Sequence, residues 1–119
     1  MKNPVANTIL TQLGGGRFLA MTGATNLLAT NSGLIFQLPA RLARDDINKV
    51  TITLTPLDLY TLTFYRMDFH TLNIQMVKEY REVTTLDLQH LFTEATGLGT
   101  GLDELGGLER LGDSPEGGS

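Results

Sequence analysis

The chain has 119 residues, 41% of them hydrophobic, which is room for one domain with a real core and excludes wholesale disorder. It has no cysteine, which excludes a disulfide scaffold, a thiol nucleophile and a thiolate zinc site. The formal net charge of −4 lies in the last 23 residues, where Asp103, Glu104, Glu109, Asp113 and Glu116 face Arg110 alone, so the body is neutral and lacks the basic excess that gives nucleic-acid binders their affinity.

Residues 4–13 read as a short helix. Asn3 is placed to cap it and Pro4 suits its first position. Val5, Ala6, Ile9, Leu10 and Leu13 form one apolar stripe, and Gly14-Gly15-Gly16 stops the helix. Arg17 to Thr22 is expected to be a strand, followed by loop through Gly33. Leu34 to Leu38 reads as a second strand closed by Pro39, and Ala40 to Asp46 as a polar loop. Lys49 to Thr55 and Leu59 to Met67 alternate around Pro56-Leu57-Asp58, the pattern of a hairpin, and Thr71 to Tyr80 continues the alternation as a fifth strand.

Val83 to Thr96 reads as a helix. Thr84 and Asp87 resemble a capping box, Val83 is set to staple onto Leu88, and Gly97 ends the helix. Its buried stripe would be Leu88, Leu91, Phe92 and Ala95.

The order predicts an α+β domain over residues 1–97, a mainly antiparallel sheet of about five strands with an N-terminal and a C-terminal helix on one face. The inward set would be Phe36, Val50, Ile52, Leu54, Leu62, Phe64, Leu72, Ile74 and Met76. The outer face would be Lys49, Thr51, Thr53, Thr61, Thr63, Tyr65, Thr71, Asn73 and Gln75, polar and almost uncharged. Residues 98–119 read as a Gly-rich acidic tail expected to be flexible, although Leu98, Leu102, Leu105, Leu108 and Leu111 recur at near-helical spacing.

Few residues point to chemistry. A phosphate loop feeds the start of a helix, whereas Gly14-Gly15-Gly16 is expected to lead into a strand and lacks a Gly-Lys-Ser/Thr sequence. Asp87, His90 and Glu94 share a helix face, which a solvated polar face explains better than a metal site. His70 beside Asp68 falls in a turn between strands. No catalytic residue, metal ligand or cofactor is assigned. Arg41 and Arg44 beside Asp45-Asp46 are the densest charges of the body, and a self-neutralising surface loop accounts for them.

Three blocks carry a likeness: Leu13-Gly14-Gly15-Gly16-Arg17-Phe18-Leu19-Ala20-Met21-Thr22-Gly23-Ala24; Ile47-Asn48-Lys49-Val50-Thr51-Ile52-Thr53-Leu54, running on to Tyr60-Thr61-Leu62-Thr63-Phe64; and Leu86-Asp87-Leu88-Gln89-His90-Leu91-Phe92-Thr93-Glu94-Ala95-Thr96-Gly97-Leu98. Over roughly residues 9 to 98 the chain resembles a family of small, uncharacterised proteins of bacteriophages, prophages and other mobile elements. The resemblance implies a mobile-element origin and action inside the bacterial cell. It transfers no catalytic residue.

The function expected is therefore that of a non-enzymatic accessory protein binding a host or phage protein, with inhibition of a defence system as a fitting example. Candidate contacts are Lys49, Thr51, Thr53 and Tyr65 on the sheet, Arg41 and Arg44 in the loop, and Leu102 and Leu105 in the tail. The alternative is a nucleic-acid binder using Lys49, Tyr65 and Arg66, or Arg17, Arg41 and Arg44. A small metal-dependent enzyme at Asp87, His90 and Glu94 is a minor third reading. Without a leader pattern or an apolar run near the ~18 residues a membrane helix needs, a cytoplasmic protein without membrane contact is expected.

Overall fold

A computed structural model of the chain describes residues 4–99. The first apolar stripe folds as expected into helix α1 (Pro4–Leu13), with Ala6, Ile9 and Leu13 fully buried. The predicted strand at 17–22 is instead a second helix, α2 (Gly15–Thr22). Phe18, Ala20 and Thr22 alternate like a strand, but Phe18 and Thr22 are also one helical turn apart, and both are buried. Arg, Leu, Ala and Met, which fill most of the stretch, are strong helix formers. Gly14 at φ 129° and Gly15 at φ 59° make the sharp turn between the helices, so the triplet ends one helix and opens the next. The expectation that it leads into a strand is thereby corrected.

The segment expected to be loop after Gly23 contains strand β1 (Thr25–Ala29). It is followed by β2 (Gly33–Gln37), β3 (Lys49–Leu54), β4 (Tyr60–Met67) and β5 (Ile74–Val83). The five strands run antiparallel in chain order, which leaves β1 and β5 as edges. Glycine is required at position 33, because a Cβ there would overlap the Ile52 carbonyl oxygen across the β2–β3 ladder.

The predicted C-terminal helix begins later than expected. Val83 is the last residue of β5, Thr85–Asp87 makes a 3₁₀ turn, and helix α3 spans Leu88–Thr96. The Thr84 hydroxyl donates to the Asp87 carboxylate at 3.4 Å, and neither side chain caps a backbone amide of these turns. Gly97 ends α3 as predicted, in the left-handed conformation.

The helices pack on one face of the sheet around four buried phenylalanines. Phe92 of α3 sits among them, with ring centroids 5.3 Å from Phe18, 6.2 Å from Phe36 and 6.2 Å from Phe64. Gln12 of α1 is a second junction: the Tyr60 hydroxyl donates to its Oε1 at 2.7 Å, and Gln89 Nε2 donates to its carbonyl at 2.8 Å. Burial raises the Tyr60 hydroxyl above the ordinary 10.0, and the charge of Asp58 adds to the rise. Among the described residues no helix is long and apolar enough to cross a membrane.

Alternation places Phe36, Val50, Ile52, Leu62 and Phe64 inward as predicted, with Leu54 half-buried against them. Leu72, Ile74 and Met76 are a correction: they are 69%, 47% and 58% exposed. Leu72 falls in the turn before β5, and for Ile74 and Met76 the first of two irregularities in the β4–β5 pairing is responsible, the second returning Val83 to the core side. The register steps from Phe64↔Lys78 to Tyr65↔Met76, leaving Val77 as an extra residue, and from Leu62↔Tyr80 to Tyr60↔Val83 around Glu82 at φ 56°. An extra residue exchanges the faces of all that follows. The core side of β5 accordingly reads Val77, Tyr80 and Val83. Ile74 and Met76, opposite Met67 and Tyr65, emerge on the open face. Thr71 and Asn73 fall in the turn and Gln75 pairs with Arg66, so none of these three belongs to the open face where alternation had put them.

Candidate functional site

At one end of the sheet, the loop joining β2 to β3 approaches the tip of the β4–β5 hairpin. Asn48 holds the two together. Its buried side chain accepts from the Met67 N–H at 2.8 Å and donates to the Met67 carbonyl at 2.9 Å, while its backbone N–H donates to Tyr65 and its carbonyl accepts from Leu38. The hairpin tip is built by Asp68, whose Oδ1 accepts from the backbone N–H of His70 at 2.8 Å and of Thr71 at 3.3 Å. This is the local chemistry that lets an aspartate set a turn. Leu72 follows at φ 62°, its N–H donating to the Asp68 carbonyl.

Between loop and hairpin lies an open cleft of about 550 Å³, lined on the loop side by Arg41 and Asp46 and on the hairpin side by Arg66, Asp68, Phe69 and His70. Arg41 and Asp46, at φ 63° and 57°, share the left-handed backbone of Leu72. Such conformations are costly for side chains other than glycine, and they gather where surrounding structure holds a binding surface in shape. Phe69, 55% exposed, stands at the rim. Beside the cleft, Ile74 and Met76 extend an apolar surface along the first half of β5, beyond the part of that strand which packs on the core.

Of the residues singled out in the sequence, Lys49, Thr51, Thr53 and Tyr65 do share the open face. Lys49 pairs with Tyr65, Thr51 with Thr63 and Thr53 with Thr61, and Gln37 and Met76 extend the Lys49–Tyr65 row on either side. That face is less polar than the sequence implied, because Leu28 and Ile35 enter it from β1 and β2 and Met76 from β5. The two loop arginines part company. Arg41 lines the cleft, whereas Arg44 donates to the Glu94 carbonyl at 2.7 Å, a cation at the negative end of α3.

Among the described residues neither arginine forms an ion pair with Asp45 or Asp46, so the self-neutralising loop is corrected. Arg17 is exposed on α2. Leu102 and Leu105 lie outside the described residues. On α3, His90 and Glu94 approach to 3.9 Å, while Asp87 is engaged by Thr84.

The sequence reading missed Phe69, Leu72, Ile74 and Met76 as surface residues and Asn48 as a clamp. Asp68-Phe69-His70-Thr71 carried a usable signal, since an aspartate two residues before an amide it can bond marks a turn. Nothing local marked the bulge at Val77. No protein-family model matches the chain, and no curated protein or solved structure matches it either.

Proposed function

We propose that the protein is a non-enzymatic binding module that grips another protein with the hairpin end of its sheet. The observation that carries this reading is the run of exposed apolar side chains Phe69, Leu72, Ile74 and Met76 around a hairpin held rigid by Asn48 and Asp68. Large apolar groups add nothing to folding while they face water, and gathered at one end of a molecule they mark a surface that a partner covers. Tyr65 and Lys49 lie in the same row as Met76 and extend the contact across the open face. The half of β5 beyond Val77 is bulged and carries Lys78, Glu79, Arg81 and Glu82, devices that discourage edge-to-edge pairing there.

The resemblance to phage and mobile-element proteins supports a host or phage protein as the partner and the bacterial cytoplasm as the place. Interference with a defence system fits this class. Affinity capture from bacterial lysate, with and without nuclease, tests the reading. A discrete protein is expected to survive nuclease and to be lost with a Phe69→Asp/Leu72→Asp double variant. Capture of nucleic acid alone, lost on digestion and in salt, would overturn it in favour of the Lys49–Tyr65 row as a nucleic-acid platform.

A further inference from the structure

The cleft beneath the hairpin tip holds two guanidinium groups that form no ion pair within the described residues. Arg41 makes no hydrogen bond or ion pair there, and Arg66 donates only to the neutral amide oxygen of Gln75. Two carboxylates line the same cleft yet pair with neither. Asp68 commits one oxygen to the backbone amides of its turn, and Asp46 is carried on a backbone at φ 57°. Arg41 itself is held at φ 63°, a conformation unfavourable to an L-residue, in a loop fastened to β4 through Asn48. The loop thus holds the backbone of Arg41 in place and, among the described residues, leaves its fork of donors unspent.

We propose that this cleft is a carboxylate-binding site, gripped by Arg41 and Arg66, that takes an acidic side chain of an extended peptide whose apolar neighbour lies on Phe69. A planar carboxylate matches the guanidinium fork in a way that no point cation does. A phosphate shares the oxyanion chemistry, but its second charge would meet Asp46 and Asp68, so the flanking acids select the singly charged group. The source of the carboxylate, a bound protein, rests on the function proposed above, whereas the site itself rests on the cleft.

The test is an amide NMR titration of the full chain with acetyl-Leu-Glu-Phe-amide, its neutral counterpart acetyl-Leu-Gln-Phe-amide, and inorganic phosphate. The glutamyl peptide is expected to shift the amides around Arg41 and Asp68 saturably, and the glutaminyl peptide and phosphate to do so far more weakly. Arg41→Ala and Arg66→Ala should each weaken the glutamyl peptide about tenfold with the rest of the spectrum unchanged, the loss of one charged hydrogen-bonding partner. Arg41→Lys should recover only part, and Asp46→Asn should tighten binding. Equal shifts with the two peptides, or full affinity in Arg41→Ala, would overturn the site. Tighter binding of phosphate would overturn the carboxylate assignment. If the peptide fails while lysate capture still depends on Phe69 and Leu72, this site falls and the binding module stands. If the glutamyl peptide binds through both arginines while lysate capture ignores Phe69 and Leu72, the site stands and the binding module falls.

Discussion

The two halves of the β4–β5 hairpin are one continuous ladder with opposite fates. From Val77 to Val83, β5 turns Val77, Tyr80 and Val83 toward the helices, and Tyr80 meets Phe64 edge-on at 6.1 Å. From Leu72 to Met76, equally apolar side chains face water. Hydrophobicity alone does not separate the halves. The residue inserted at Val77 does, because it trades the faces of the strand at that point. The covered half serves stability, and the bare half adds no side chain to the core.

This contrast is open to attack from the covered side first. Phe92→Ala removes the ring that Phe18, Phe36 and Phe64 share and should cost about 3–5 kcal/mol, read as a large fall in the urea midpoint. Asn48→Ala severs the clamp between loop and hairpin and leaves both backbone groups of Met67 without that side chain. A loss of about 2 kcal/mol is expected, together with faster amide exchange at Met67.

Tyr60→Phe deletes the hydroxyl bond to Gln12 and should cost about 1 kcal/mol near neutral pH. It also carries a sign. The folded-state tyrosine titrates above the ordinary 10.0, so the unfolded chain loses its proton first and stability should fall as pH climbs past 10.0. The phenylalanine variant should lack that part of the fall, as urea unfolding at several pH values would show. The bare half should respond least. Leu72→Asp with Met76→Ser is expected to move stability by no more than about 0.5 kcal/mol while abolishing partner capture. A large stability loss in that variant would place these residues in the core and collapse the contrast.

The fold was largely legible because most of its signals are local. Helix α1, the alternation within β3 and within β4, and the glycine after α3 are each read over a short stretch and agree with the structure. Arg17 to Thr22 failed for want of length, since six residues satisfy both periodicities, and helix propensity together with the packing of Phe18 against Phe36 and Phe92 decides. The site was far less legible. Lys49, Tyr65 and Arg41 stand out by their chemistry, and the first two do adjoin. That Arg41 lines the same cleft as Arg66 while Arg44 turns to α3 depends on residues far apart in the chain.

The sequence by itself determined an α+β chain with a neutral body, an acidic tail, the identity of most core residues and the direction in which β3 and β4 alternate. These follow from side-chain period and local backbone preference, which act over a few residues. The tertiary structure alone decided which face Ile74 and Met76 occupy, what Asn48 clamps and which of the two loop arginines turns to α3. Pairing register is a property of two strands together, and a single inserted residue reverses it without leaving a mark in either strand's own pattern.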